Sequence, residues 1–116
     1  MQDQIDRLRD VAIPEQRLFI GGDWRPARSG ANLDVISPID GSRLTTIAAA
    51  DRADVDATVI AARKAFEKGS WSKASPAERK KVLLRLAELI ERDAVPLAVL
   101  GVRDNGTEIG MAVKAE

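Results

Sequence analysis

The stretch from Asp51 to Asp93 constrains this chain most, because it carries two helix signatures back to back, each with its own start and stop. "DRADVDATVIAARKAFEKG" opens on Asp51 as an N-cap, keeps acids in its first turn, and closes with Lys68 followed by Gly69. Val55, Val59, Ala62 and Phe66 recur at helical spacing, which predicts an apolar stripe along one face. "SPAERKKVLLRLAELIERD" begins with Ser75, Pro76 and Glu78, a capping box with proline at the first helical position. A broad apolar face of Val82, Leu83, Leu86, Ala87, Leu89 and Ile90 follows. Pro96 would disrupt a helix interior, so Asp93 is expected to cap a separate helix running to Asn105. Gly106 then suits the left-handed close of that helix, and Thr107 is expected to cap a further one.

The residues before Asp51 have a different character. Leu18, Phe19 and Ile20 precede Gly21-Gly22, and Trp24 follows, a two-residue hairpin signal in which the glycines supply positive φ. "LDVIS" sets Leu33 and Val35 on one face, "PIDG" turns the chain, and "SRLTTIAA" is a β-prone run. Residues 1–16 carry Ile5, Leu8 and Ala12 at helical spacing and end at Pro14, which predicts a short amphipathic helix or arm. The expected fold class is therefore α+β, a small antiparallel sheet followed by helices. It divides into an arm over 1–16, antiparallel strands over 17–50 and helices over 51–116, within a single domain.

Composition narrows the chemistry. The chain has no cysteine and no histidine, so thiolate nucleophiles, disulfides and imidazole general bases cannot be drawn from it. Lys plus Arg equals Asp plus Glu at 18 each, leaving no net field for phosphate backbones or anionic lipid, and neither nucleic acid nor membrane is an expected partner. The opening "MQDQIDRLRD" has no apolar core of a secretory signal, and the expected location is cytoplasmic. Gly21-Gly22 lies between strands, and no dinucleotide or P-loop fingerprint occurs. Asp51, Asp54 and Asp56 form the tightest acidic group, which the helix dipole explains better than catalysis does. "NGT" at Asn105 to Thr107 has the form of a glycosylation sequon but reads better as a helix stop and start. Trp24 and Trp71 flank turns, where they can cover the edge of a small core or interface.

"LFIGGDW", "DVISPIDGSRLTTIAAADRADVDATVIAARKAFEKGSW", "SPAERKKVLLRLAELIERD" and "DNG", in this order and spacing, resemble the amino-terminal portion of the NAD(P)-dependent aldehyde dehydrogenase superfamily. The family's usual Asn-Pro is Ser37-Pro38 here, and the Lys that commonly follows its Asp-x-Gly is Thr107. The resemblance implies the first part of an α/β, Rossmann-like coenzyme domain. It also implies a parent enzyme that is a homo-oligomer, oxidises a small aldehyde and uses NAD or NADP. It places the catalytic cysteine, the general-base glutamate, the oxyanion-stabilising asparagine and the cofactor glycines after Glu116. No catalytic or cofactor-binding residue is thus expected within the chain, which alone should be inactive and bind no cofactor. Its partner would be the remainder of the polypeptide or another subunit.

Two site expectations follow from the resemblance. Many members hold a monovalent cation with a backbone carbonyl before the Pro and the acid of Asp-x-Gly, corresponding to Ile36, with Val35 beside it, and Asp104. "FEKGSW" followed by "SPAERKKVLLRLAELIE" is most similar to members acting on amino-aldehydes such as γ-glutamyl-γ-aminobutyraldehyde. Glu116 then falls where an acid could attract a cationic substrate end at the channel entrance. The alternative from another class is a stand-alone helical interaction module whose apolar faces bind a protein partner.

Overall fold

A computed structural model describes residues 1–113. In chain order its elements are α1 (Gln2–Leu8), β1 (Leu18–Ile20), β2 (Asp23–Arg25), β3 (Asn32–Ile36), β4 (Arg43–Ala48), α2 (Arg52–Lys68), α3 (Ser70–Lys73), α4 (Pro76–Arg92), α5 (Ala94–Asn105) and α6 (Ile109–Ala112). The class is α+β, as the sequence predicts. The strands form two separate antiparallel pairs, β1 with β2 and β3 with β4, in place of one sheet. No described helix is long and apolar enough to cross a membrane.

Contacts divide the chain into two compact units. One comprises Glu15–Leu33 and Thr46–Val82. Within it Gly21 and Gly22, at φ 64° and 94°, make the tight turn that sets β1 on β2 with Ile20 opposite Asp23. Phe19 faces Trp24 across the pair, ring centroids 4.8 Å apart, and both stay exposed. The same glycine turn approaches α2 closely: a Cβ placed on Gly21 would lie 3.8 Å from the Ala61 Cβ.

That approach decides which face of α2 packs. The small side chains of Ala53, Ala57 and Ala61 are half-buried, whereas Val55, Val59 and Phe66 of the expected stripe are exposed. Periodicity identifies the helix correctly, but a close glycine turn selects the alanine face. Asp51 and Asp54 form a reciprocal capping box at the start of α2: Asp51 Oδ1 accepts the Asp54 N–H (3.0 Å), and Asp54 Oδ2 accepts the Asp51 N–H (3.1 Å). The Arg28 N–H reaches both Asp54 carboxylate oxygens at 3.2 and 3.1 Å. Asp54 is only 6% exposed, so the acidic cluster includes a buried structural anchor.

At the start of α4 the predicted capping box is present. Glu78 Oε2 accepts the Ser75 N–H at 2.7 Å and the Ser75 hydroxyl at 2.8 Å, and the Glu78 N–H returns to Ser75 Oγ at 3.3 Å. Donation by the Ser75 hydroxyl, then by its N–H, holds the Glu78 carboxyl below its ordinary value of 4.5.

The other unit comprises Met1–Pro14, Asp34–Thr45 and the chain from Leu83 onward. Here α1 packs on α5. It ends at Leu8, short of the expected Ala12, in a turn where the Val11 N–H returns to the Leu8 carbonyl (3.3 Å) and the Arg103 guanidinium donates to the carbonyls of Leu8 and Val11 (3.4 and 2.6 Å). Ala98 and Val99 of α5 are buried. Asp93 occupies the N-cap position of α5 but makes no side-chain cap bond. Its carboxylate instead accepts from Arg92 Nε and Nη2 at 2.9 and 2.6 Å, the charged neighbour outcompeting the helix N–H groups. Thr107 likewise does not cap α6, whose N-cap is Glu108. The Thr107 N–H is drawn back to Asn105 Oδ1 at 2.7 Å.

Removing the Asp54 carboxylate leaves the Asp51 and Arg28 N–H groups without their acceptor. Asp54→Ala is expected to lower unfolding free energy by about 2 kcal/mol in urea denaturation, and Asp56→Ala by less than about 0.5 kcal/mol. Equal effects would remove the anchor role. Because folding lowers the Glu78 pKa, its contribution is present above about 4.5 and is lost as pH falls through the lowered folded value. The stability difference between the native chain and Glu78→Gln should therefore shrink below that pH, and the Ser75 amide resonance should titrate only in the native chain.

Candidate functional site

The unit built on α1 and α5 contains an open cleft of about 610 Å³. Its walls come from α1, from the turn between β3 and β4, and from the end of α5. The turn is closed by its own polar groups. Ser37 donates its N–H to the Ser42 carbonyl (2.8 Å), and its hydroxyl oxygen accepts the Ile39 N–H (3.2 Å). Asp40 Oδ1 accepts the Ser42 N–H at 3.0 Å and hydroxyl at 2.7 Å. The Ser42 N–H, then its hydroxyl, then Ser37 hold the Asp40 carboxyl below its ordinary 3.8. Ser37 is 5% exposed, an inward polar residue that the sequence marks only by its place before proline.

Beside this turn stands the end of α5. Gly106 adopts the expected left-handed conformation, φ 75°, and returns its N–H to the Val102 carbonyl at 2.8 Å. A Cβ at Gly106 would sit 3.4 Å from Pro38 Cγ, so the loop leaving β3 lies directly against the close of α5. Ile36 ends β3 two residues before Pro38, and Asp104 lies two residues before Gly106. The expected cation ligands therefore flank one contact. Val35 is half-buried within β3, whereas Ile36 and Asp104 are exposed.

The donor chemistry fits a monovalent cation: a backbone carbonyl and a carboxylate are hard oxygen ligands. The Asp104 carboxylate has no hydrogen bond or ion pair among the described residues, so its oxygens are not already committed. Glu116 lies outside the described residues. Gly21-Gly22 makes a hairpin turn, and among the described residues no strand-to-helix loop is glycine-rich. These residues do not form a dinucleotide cradle. Arg103 carries no sequence signal for its role, since its acceptors are backbone carbonyls 92 and 95 residues away in sequence.

Residues 24–116 match the model of the aldehyde dehydrogenase family. The chain belongs to that family, and its fold corresponds to the amino-terminal part of the family's structures. It is 46% identical over 94 residues to the aminoacetaldehyde dehydrogenase of Pseudomonas aeruginosa, covering 81% of this chain and 19% of that relative. It is 40% identical over 104 residues to the NADP/NAD-dependent aldehyde dehydrogenase PuuC of Escherichia coli, covering 90% and 21%. Among solved structures, the γ-glutamyl-γ-aminobutyraldehyde dehydrogenase of Burkholderia cenocepacia superposes with a TM-score of 0.88 at 39% identity, over 96% of this chain and 22% of that one. The indole-3-acetaldehyde dehydrogenase of P. syringae in complex with NAD+ gives 0.87 at 40% identity, over 97% and 22%. The chain thus spans about a fifth of the length of these relatives.

Gly106 combines a left-handed backbone with the Pro38 contact. Gly106→Ala is expected to cost about 1–2 kcal/mol of stability by thermal or urea unfolding, and Gly106→Asn less, because Asn tolerates that conformation better. Equal losses from the two would show that the backbone conformation does not set the cost.

Proposed function

We propose that this chain serves as the amino-terminal portion of an oxidoreductase that oxidises aldehydes to carboxylic acids with NAD(P). The reaction centre is contributed by further polypeptide, and the 116 residues alone are inactive. One observation carries this reading: nearly the whole chain superposes on aldehyde dehydrogenases while spanning about a fifth of their length. The absence of Cys and His from the chain is consistent with that division of labour. NAD(P) would accept the hydride when bound, at residues outside this chain.

Within the parent, the carbonyls of Val35 and Ile36 and the carboxylate of Asp104 hold a monovalent cation that braces the corner between β3 and α5. The substrate is an amino-aldehyde, with Glu116 attracting its cationic end; the names of the P. aeruginosa and B. cenocepacia relatives support that class. The parent is a cytoplasmic homo-oligomer. The exposed apolar residues of α4 would equally serve a stand-alone interaction module. That second reading requires a chain that folds, stays monomeric and binds a protein partner without any aldehyde activity in its longer form.

The test uses the polypeptide encoded by the complete reading frame, with an amino-aldehyde and an uncharged aldehyde of equal length. Aldehyde-dependent NAD(P)H formation is expected with both, at a lower KM for the amino-aldehyde. Glu116→Gln should narrow the KM gap without changing kcat. No NAD(P)H formation with either substrate would overturn the proposed activity.

A further inference from the structure

We infer that Arg103 is a positioning residue for the cation corner: by gripping the amino-terminal arm it fixes the last turn of α5, and with it the Asp104 carboxylate. The inference rests on the proposed cation site. Arg103 Nη1 donates to the Val11 carbonyl at 2.6 Å and to the Leu8 carbonyl at 3.4 Å. The Leu8 carbonyl also accepts the Val11 N–H at 3.3 Å, and Val11 lies beyond α1, so Arg103 binds the turn that follows the helix. None of the residues of α1 is buried. Ile5 and Leu8 are half-buried where α1 packs on α5, and the charge-assisted bonds of Arg103 tie the turn after α1 to the same helix.

The grip acts one residue from Asp104. The last turn of α5 is fixed from three directions: by the arm through Arg103, by the Gly106 N–H to Val102, and by Pro38 lying against Gly106. Asp104 has no hydrogen-bond partner of its own among the described residues. Its orientation consequently follows the backbone that carries it, and a frayed turn would misplace it.

Electrostatics predicts the opposite sign and so separates the two explanations. Arg103 is itself a cation beside the corner, and if it acted only through charge, neutralising it would tighten cation binding. If it acts by positioning, neutralising it weakens binding.

The test measures the melting temperature of the complete polypeptide across potassium chloride concentrations, with choline chloride keeping ionic strength constant. The readout is the potassium concentration giving half of the stabilisation. Arg103→Gln should raise that concentration about tenfold. A variant lacking residues 1–11 removes the other end of the same bonds and should raise it equally, which keeps the test open if Arg103→Gln does not fold. Combining the two changes should add nothing further. An unchanged or lowered midpoint, or equal destabilisation in potassium and choline, would overturn the positioning role. A native protein with no potassium-specific stabilisation would remove the cation reading and this inference with it. An active enzyme could still show that result, so the proposed activity stands or falls separately.

Discussion

Local polar closure sets the geometry of this chain more than a large apolar core does. Among the described residues, the buried apolar side chains are Ile20, Ala27, Ala48, Ala98 and Val99, and no large side chain is fully buried. Several changes of direction are instead closed by a carboxylate, hydroxyl or guanidinium on backbone groups. Asp54 does so at the start of α2, Glu78 and Ser75 at α4, Asp40 and Ser42 between β3 and β4, and Arg103 at the end of α1. Asp54 is the most consequential, because one carboxylate satisfies the Asp51 and Arg28 N–H groups together and ties a loop to a helix start. A buried anion is tolerable there because both oxygens have donors and the helix dipole is favourable.

The division between what was legible in the sequence and what was not follows the range of each interaction. Capping boxes, the Gly21-Gly22 hairpin and the left-handed Gly106 depend on residues a few positions apart, and they stand where residue type and spacing put them. The packed face of α2 was not legible, because it depends on a glycine turn some forty residues earlier approaching Ala61. The tie at the end of α1 was not legible because the group that binds the Leu8 and Val11 carbonyls, Arg103, sits on another helix. Asp93 is a local failure of a different kind. Its type and place suit a cap, but Arg92 beside it offers a charged donor pair.

The candidate site shows the same division. Motif resemblance marked Ile36 and Asp104, whose oxygen chemistry suits a cation. It marked Ser37 only as the residue before Pro38 and gave no reason to notice Arg103, and the roles of the two come from burial and from a long-range bond. A corner made of one strand end and one helix end has few ways to stay in register. Pro38 lies within van der Waals reach of a Cβ at Gly106, and the left-handed backbone there favours glycine.

The helix most clearly written in the sequence is also the one least satisfied in the structure. In α4, Leu83, Leu84 and Leu86 are 56%, 55% and 50% exposed, with Val82 and Ile90 also exposed. Full burial of such a side chain is worth about 1.5–3 kcal/mol, so half-exposure forgoes roughly 1 kcal/mol at each position. Across five residues the loss is comparable with the lower end of a domain's whole stability, about 5 kcal/mol. An apolar face of that size is stable when something covers it, and within aldehyde dehydrogenases this chain makes up about a fifth of the length. The capping that starts α4 is local and complete without a cover, which explains how the helix can be well formed while its apolar face is open.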